Sequence, residues 1–361
     1  MGKTAFLFAG QGAQYTGMGK DLCECSKAAA KVFEAADKVR ENTSEQCFTA
    51  PVEELSQTIN TQPCVYCVDL AAARALEEAG VHADAVAGFS LGEVAALTFA
   101  GAFSEEDGFS FVCRRARAMD YAAQKNPAGM AAVLKLDNET VEKICQEFVR
   151  VYPVNYNCPG QLVAACGKPE LEAFCNRVKE YKGKAVPLAV SGGFHSPFMD
   201  SAQQELHHEI GNYHLNVPKL PIYANITAEC YPQDQHECEE ILTSQVTHPV
   251  LWEKTIRNMV EEGFTTFIEV GPGKTLSGLV KKINKMLLSA AWKIKRPWKK
   301  HFVLWERKHR RNRRWEKEKQ LWSPELPEEL AERLQSDLQR MDAMLRLSML
   351  ETRKLQRKPA A

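Results

Sequence analysis

The junction at residues 85–97 constrains this chain more than any other stretch. The apolar run Ala85-Val86-Ala87 leads into Gly88-Phe89-Ser90-Leu91-Gly92-Glu93, and the helix-prone Val94-Ala95-Ala96-Leu97 follows. A buried strand, a sharp turn and a helix form the setting in which a G-x-S-x-G serine acts as a nucleophile. Glycines on both sides let the backbone turn tightly and keep bulk away from the hydroxyl. A helix beginning at Leu91 would aim its free N–H groups at negative charge developing beside Ser90. A serine there also suits a helix cap, so these six residues alone leave both readings open.

Strand and helix patterns alternate on either side of the junction. Residues 5–9 read as a buried strand that opens into the flexible Gly10-Gln11-Gly12-Ala13-Gln14. Helical patterns follow near 26–39 and 61–79, a second buried strand spans 83–89, and helices cover 91–100 and 109–124. Such alternation predicts a mostly parallel sheet. Near Pro127 a second unit begins, with strands at 130–136, 151–156, 161–166 and 184–190 and helices at 139–149 and 170–180. The order β-α-β-β-α-β is ferredoxin-like. The main unit resumes with a helix after Ser196, a strand at 221–225, a helix near 251–262 and the strand Thr266–Val270. Gly271-Pro272-Gly273 and a helix from Thr275 complete it. The expected fold is α/β: an α/β-hydrolase-like parallel-sheet core (1–126 and 191–285) with an inserted ferredoxin-like subdomain (127–190).

Composition narrows the classes. Met1-Gly2-Lys3 runs directly into Thr4-Ala5-Phe6-Leu7-Phe8, too short for the apolar region of a signal peptide. No apolar run approaches membrane-spanning length, so no membrane partner is expected. Twelve cysteines without a secretion signal read as reduced thiols of a cytoplasmic protein. Cys64 and Cys67 sit in a helical pattern with no second pair, so no metal site is expected there.

A serine nucleophile needs a base within hydrogen-bond reach. Of nine histidines, His195 stands out, because Ser191-Gly192-Gly193-Phe194-His195-Ser196-Pro197 is a glycine-rich turn after a strand. Position alone would equally suit an exposed loop histidine. His207, His208, His214 and His236 lie in polar surroundings and read as surface residues.

Further segments complete the pattern in one order. Arg115 lies within Arg114-Arg115-Ala116-Arg117-Ala118-Met119, and Asn155-Tyr156-Asn157-Cys158-Pro159-Gly160-Gln161 follows. Gln245, Pro249-Val250-Leu251-Trp252 and Glu269-Val270-Gly271-Pro272-Gly273 come last. With Phe8–Gln14, Gly88–Glu93 and Gly193–Ser196, they make residues 1–285 resemble the bacterial malonyl-CoA:acyl carrier protein transacylases.

The resemblance implies an acyl-carrier-protein S-malonyltransferase of fatty acid biosynthesis. Ser90 would attack the malonyl thioester and His195 would take its proton and later return one to the leaving thiol. The N–H groups of Gln11 and Leu91 would form the oxyanion hole. A backbone carbonyl near Gln245 would hold the imidazole in place of an aspartate. Arg115 would fork onto the free malonyl carboxylate, with Gln245, Phe194 and Met119 as further substrate-binding residues. Malonyl-CoA and an acidic acyl carrier protein are the implied partners, and no metal or redox cofactor is implied. Phe89 stands where many family members have histidine, which implies altered packing. Phe194 resembles the malonyl-selective form, since relatives that take branched substrates tend to carry serine there. A serine hydrolase using the same elbow is the chemical alternative.

Beyond Lys285 the composition changes. Residues 286–361 hold 20 Lys/Arg against 10 Asp/Glu, five of the six tryptophans, and none of the glycines or cysteines. The preceding 285 residues carry a net charge of −10. The tail admits three readings: a basic nucleic-acid arm, an amphipathic partner helix over 324–355, or a frameshift product. The third fits best. With permissible codons, a neighbouring frame yields a segment like the family's own C-terminus. Further on, near Arg314–Arg333, it yields the dinucleotide-loop opening of a 3-oxoacyl-acyl carrier protein reductase. Few contacts between residues 286–361 and the core are expected on that reading.

Overall fold

The computed structural model describes residues 2–291. In chain order the elements are β1 (Lys3–Phe8), α1 (Lys20–Cys25), α2 (Lys27–Val39), α3 (Thr43–Thr49), α4 (Val52–Leu55) and α5 (Thr58–Glu78). They continue with β2 (Ala85–Gly88), α6 (Leu91–Phe99), α7 (Glu105–Lys125), β3 (Ala128–Leu134), α8 (Asn138–Gln146), β4 (Val151–Cys158) and β5 (Gln161–Gly167). The remainder are α9 (Leu171–Glu180), β6 (Lys184–Pro187), α10 (Asp200–Glu209), β7 (Ile222–Tyr223), α11 (Gln235–Ser244), α12 (Trp252–Glu261), β8 (Phe264–Val270), α13 (Thr275–Ile283) and β9 (Leu288–Ala291).

Two sheets result. The larger has strand order β7-β2-β1-β8-β9, and every pairing is parallel. Its central strand is apolar without alternation: Ala5, Leu7, Phe6 and Phe8 are all buried, as helices on both faces of a parallel sheet require. On one face Phe6 and Phe8 pack against Phe99 of α6, with ring centroids 5.7 and 5.6 Å apart. On the other face Ala5, Leu7 and Phe267 join Trp252, Ile256 and Met259 of α12 and Leu276 and Val280 of α13. The smaller sheet, β4-β5-β3-β6, is antiparallel. With α8 and α9, whose Val141, Ile144, Phe174 and Val178 cover it, it forms the ferredoxin-like unit. The parallel core with an inserted ferredoxin-like subdomain is therefore present as the sequence predicts.

An isolated bridge ties β4 of the smaller sheet to the segment just before α12. Tyr156 donates its backbone N–H to Val250 O at 2.9 Å, and Val250 N–H donates to Val154 O at 2.8 Å. The motifs Asn155–Gln161 and Pro249–Trp252, 94 residues apart from Asn155 to Pro249, thus pair through their backbones.

Three differences from the sequence reading have physical causes. The strand expected at 221–225 is only Ile222–Tyr223, because Asn225 leaves the ladder to bind the serine turn. The strand expected to reach Val190 ends at Pro187, because after Leu188 donates to Met130 O at 2.8 Å the chain turns, and Val190 N–H bonds back to Leu188 O at 2.9 Å. The sheet also extends beyond Lys285: β9 pairs with β8 in the register Thr266↔Leu288 to Glu269↔Ala291. A boundary at 285 is therefore too early, and residues 288–291 pair with the core. The remaining tail expectations, concerning residues 292–361, lie outside the described residues.

Candidate active site

Ser90 and the loop that carries Gln11 stand at the carboxyl ends of neighbouring parallel strands, β2 and β1. This is where open α/β sheets carry their sites. Phe89 N–H donates to Phe8 O at 3.0 Å, which ties the two strand ends together. Ser90 has φ 56° and ψ −111°, a sparsely populated conformation for a residue with a Cβ. Asn225 holds it there. Its Oδ1 accepts the Ser90 N–H at 2.8 Å and its Nδ2 donates to Gly88 O at 2.6 Å. Gln245 Nε2 adds a bond to Ser90 O at 3.0 Å.

The positive φ of the turn falls on Ser90 itself and not on the flanking glycines. They supply close approach. A Cβ on Gly88 would sit 2.0 Å from the carbonyl carbon of Gly92, and one on Gly92 would sit 2.4 Å from Phe8 O. The helix cap reading of Ser90 also fails, since its side chain caps nothing. Phe89 packs edge-on against Trp252 with centroids 5.4 Å apart.

His195 lies in the buried turn after β6, also at positive φ (62°), with its N–H donated to Val246 O at 2.9 Å. Its Nδ1 is 2.9 Å from Gln245 O and 3.2 Å from His248 O. Carbonyls only accept, so Nδ1 carries the proton and Nε2 is the free base. Nε2 lies 2.7 Å from Ser90 Oγ. Burial, followed by the nearby Arg115 charge, lowers the imidazole pKa to about 4, against the raising effect of the two carbonyls. The ring is thus neutral and able to accept a proton at neutral pH.

Arg115 is a buried cation, 1% exposed, and not a solvated helix charge. Its neighbours Arg114 and Arg117 are exposed, and Arg114 pairs with Glu209 at 3.7 Å. Arg115 Nη1 donates to Gln62 Oε1 at 2.6 Å. Its Nη2 donates to Gln245 Oε1 at 2.7 Å and to Ser90 Oγ at 3.1 Å. Burial lowers its pKa to about 10, so it remains charged. Met119, one turn further along α7, places its sulfur 3.4 Å from Gln62 Nε2. Phe194 is buried beside Ala123 of the same helix, both lying against Gly192.

Gln11 lies in the loop after β1, and its Nε2 donates to Thr58 Oγ1 at 3.4 Å. Thr58 Oγ1 also lies 3.3 Å from Ser191 Oγ, so the first residue of α5 links the Gln11 loop to the turn that carries His195. Leu91 is the first residue of α6, where an N–H has no intrahelical acceptor. Glu269 serves structure: it accepts the Leu276 and Ser277 N–H groups at 2.9 and 2.8 Å and so caps α13. His207, His208, His214 and His236 are exposed. Cys64 and Cys67 are buried in α5, and among the described residues no group of His, Cys, Asp and Glu could hold a metal ion.

Sequence reasoning missed Asn225, Gln62, Glu93 and Tyr231. Asn225 and Gln62 carry no local signal beyond polarity in otherwise apolar segments. Glu93 was legible as an acid inside an apolar helix start.

Comparison with known proteins agrees with this geometry. Residues 5–296 match the Acyl transferase domain family. The malonyl CoA-acyl carrier protein transacylase of Bacillus subtilis (strain 168) is 39% identical over 297 residues, covering 81% of this chain and 93% of the relative. The crystal structure of malonyl CoA-acyl carrier protein transacylase from Clostridium perfringens superposes with a TM-score of 0.80 at 36% identity, covering 85% of this chain and 98% of that one. A type II PKS acyl-carrier protein in complex with its malonyl-transacylase matches with a TM-score of 0.79 at 30% identity, covering 82% of this chain and 98% of that one. With Ser90 in contact with both His195 and Arg115 on this fold, the chain belongs to the malonyl CoA-acyl carrier protein transacylase family.

Proposed function

We propose that the chain moves malonyl from malonyl-CoA to the phosphopantetheine thiol of acyl carrier protein, through a malonyl-Ser90 ester, in fatty acid biosynthesis. The observation that carries this reading is the position of Ser90 Oγ, 2.7 Å from His195 Nε2 and 3.1 Å from Arg115 Nη2. An acyl group on Oγ with a second carboxylate two carbons away comes within reach of that guanidinium. A simple esterase has no use for a buried cation there.

In the first half-reaction the Ser90 O–H proton passes to His195 Nε2 as Oγ attacks the thioester carbonyl. The Gln11 and Leu91 N–H groups stabilise the oxyanion. The C–S bond breaks and His195 protonates the CoA thiolate. The second half-reaction reverses these roles. The carrier thiol gives its proton to His195, its sulfur attacks the ester, and Ser90 Oγ recovers the proton as the C–O bond breaks. Gln245 and His248 carbonyls hold the imidazolium where other enzymes use an aspartate. Arg115, Gln245, Phe194 and Met119 bind the malonyl group. Phe194, where relatives that take branched substrates tend to carry serine, supports malonyl over methylmalonyl.

Mass spectrometry after mixing with malonyl-CoA tests the reading. A malonyl adduct on Ser90, absent from Ser90→Ala and discharged by carrier protein faster than by water, is expected. Discharge by water alone would instead make the chain a hydrolase.

A further inference from the structure

Among the described residues the direct partners of Arg115 are neutral: Gln62, Gln245 and Ser90. Its Nε–H has no acceptor among them. The opposing charge is Glu93, fully buried in the first turn of α6, three residues after the nucleophile. Tyr231 donates its hydroxyl to Glu93 Oε1, and Asn225 donates its backbone N–H to Oε2 at 2.8 Å. The Gln245 side chain, which accepts from Arg115, also faces this carboxylate. The ionisable groups facing Glu93 are Arg115 from α7 and Tyr231 from the segment before α11. From α5, Tyr66 reaches only Thr98 at the far end of α6, and β1 and β2 face α6 with apolar residues and backbone.

We propose that Glu93 takes up a proton from solvent when the malonyl carboxylate binds Arg115, so that the buried site carries one carboxylate charge at a time. This rests on the reading that Arg115 holds the malonyl carboxylate. In the free enzyme Arg115 and Glu93 balance each other. A malonyl carboxylate adds a second anion around one cation in a buried site, and two carboxylates sharing such a site do not both stay ionised. The substrate carboxylate gains the guanidinium fork, so Glu93 is the group that protonates. Its environment already favours this: burial raises Glu93 to about 7, against the lowering effects of Tyr231, Gln245, Asn225 and Arg115. The Tyr231 hydroxyl oxygen can accept the new carboxyl proton. Transfer of malonyl to the carrier thiol removes the second anion, and Glu93 returns its proton to solvent. Malonyl binding is thereby strengthened below neutral pH and weakened above it, while acetyl binding is indifferent.

Calorimetry at pH 8 in buffers of different ionisation enthalpy tests this on the full chain carrying Ser90→Ala, which binds malonyl-CoA without turnover. Uptake approaching about one proton per malonyl-CoA is expected, with none for acetyl-CoA and none in the Glu93→Gln, Ser90→Ala double variant. The malonyl-CoA Kd should rise by up to about tenfold per pH unit above 7 and be flat in Glu93→Gln. If Glu93→Gln fails to fold, Tyr231→Phe serves: loss of its hydroxyl moves the midpoint of the pH dependence upward. Tight, malonyl-selective binding without proton uptake overturns the proposal, as does uptake that survives Glu93→Gln. Equal binding of malonyl-CoA and acetyl-CoA, unchanged by Arg115→Ala, would overturn the reading of Arg115 instead.

Discussion

Asn225 clamps both sides of the turn that carries Ser90, accepting from the Ser90 N–H and donating to Gly88 O across 135 and 137 positions of sequence. A serine held at positive φ relaxes unless its neighbours are fixed. Asn225→Ala leaves a buried donor and a buried acceptor unpaired and is expected to cost about 2–4 kcal/mol. Asn225→Asp keeps the acceptor for Ser90 N–H but sets a buried carboxyl oxygen against Gly88 O and near Glu93, where it has no donor to bind. Thermal denaturation together with the rate of malonyl-Ser90 formation should place both variants below the wild type in both readouts. An Asn225→Ala enzyme that acylates at the wild-type rate would refute the clamp.

The depressed basicity of His195 predicts where activity falls on the acid side. Burial and then Arg115 place the imidazole at about 4, so the base remains neutral well below the usual 6.5. The acid limb of kcat/KM should therefore lie below pH 6. Arg115→Ala removes one of the two lowering causes and should move that limb upward when acetyl-CoA is the donor. For stability the sign is the same: protons are taken up more readily by the unfolded chain, so the native state loses stability as pH falls from 6.5 toward 4.

Truncating Arg115 should separate substrates and not merely slow the enzyme. Removing one partner of a desolvated charge pair costs about 2–5 kcal/mol, so malonyl-CoA kcat/KM should drop by about 30-fold or more in Arg115→Ala. Acetyl-CoA, which has no carboxylate to lose, should be affected far less. Steady-state kinetics with both donors measures the ratio.

Glycines of the same residue type carry opposite expectations. Gly92→Ala puts a methyl 2.4 Å from Phe8 O and 2.6 Å from Ala9 O, against backbone that cannot yield. Loss of soluble folded protein, or a penalty above about 3 kcal/mol, is expected. Gly278 lies in the exposed part of α13 with nothing within 4 Å of an added Cβ. There alanine should stabilise by about 0.5–1 kcal/mol. Denaturant midpoints of the two variants test the contrast.

The pairing of β9 with β8 separates residues 286–291 from the rest of the tail. Ser289 is buried, and its hydroxyl donates to Ser277 O at 3.0 Å. A chain ended at Lys285 leaves the β8 edge open and should be less stable and more prone to aggregate than one ended at Arg296. The frameshift reading of 286–361 stands as a separate proposal. Replacing that segment with the alternative-frame sequence should raise Tm and leave Ser90 acylation in place. Stop codons filling that frame would sink the idea.

Much of this molecule is local in origin. Apolar runs such as Ala5–Phe8 and Ala85–Ala87, the glycines around Ser90 and the periodicity of α7 each form within a few residues. Adjacent side chains set burial and backbone freedom, so strand order by type, the elbow and its serine were legible from sequence. So were the ferredoxin-like insertion and, through family resemblance, His195 and Arg115. Tertiary structure decided what those groups touch. Arg115 draws its partners from Gln62 and Gln245, 53 and 130 positions away, and Glu93 draws Tyr231 from 138. Amides and hydroxyls are chemically interchangeable along a sequence, and only folding determines which of them is buried against a charge. The sequence by itself therefore determined the elbow and the class of chemistry. The charge balance around Arg115, the neutral His195 and the strain held in Ser90 arise only when distant chain segments are desolvated together.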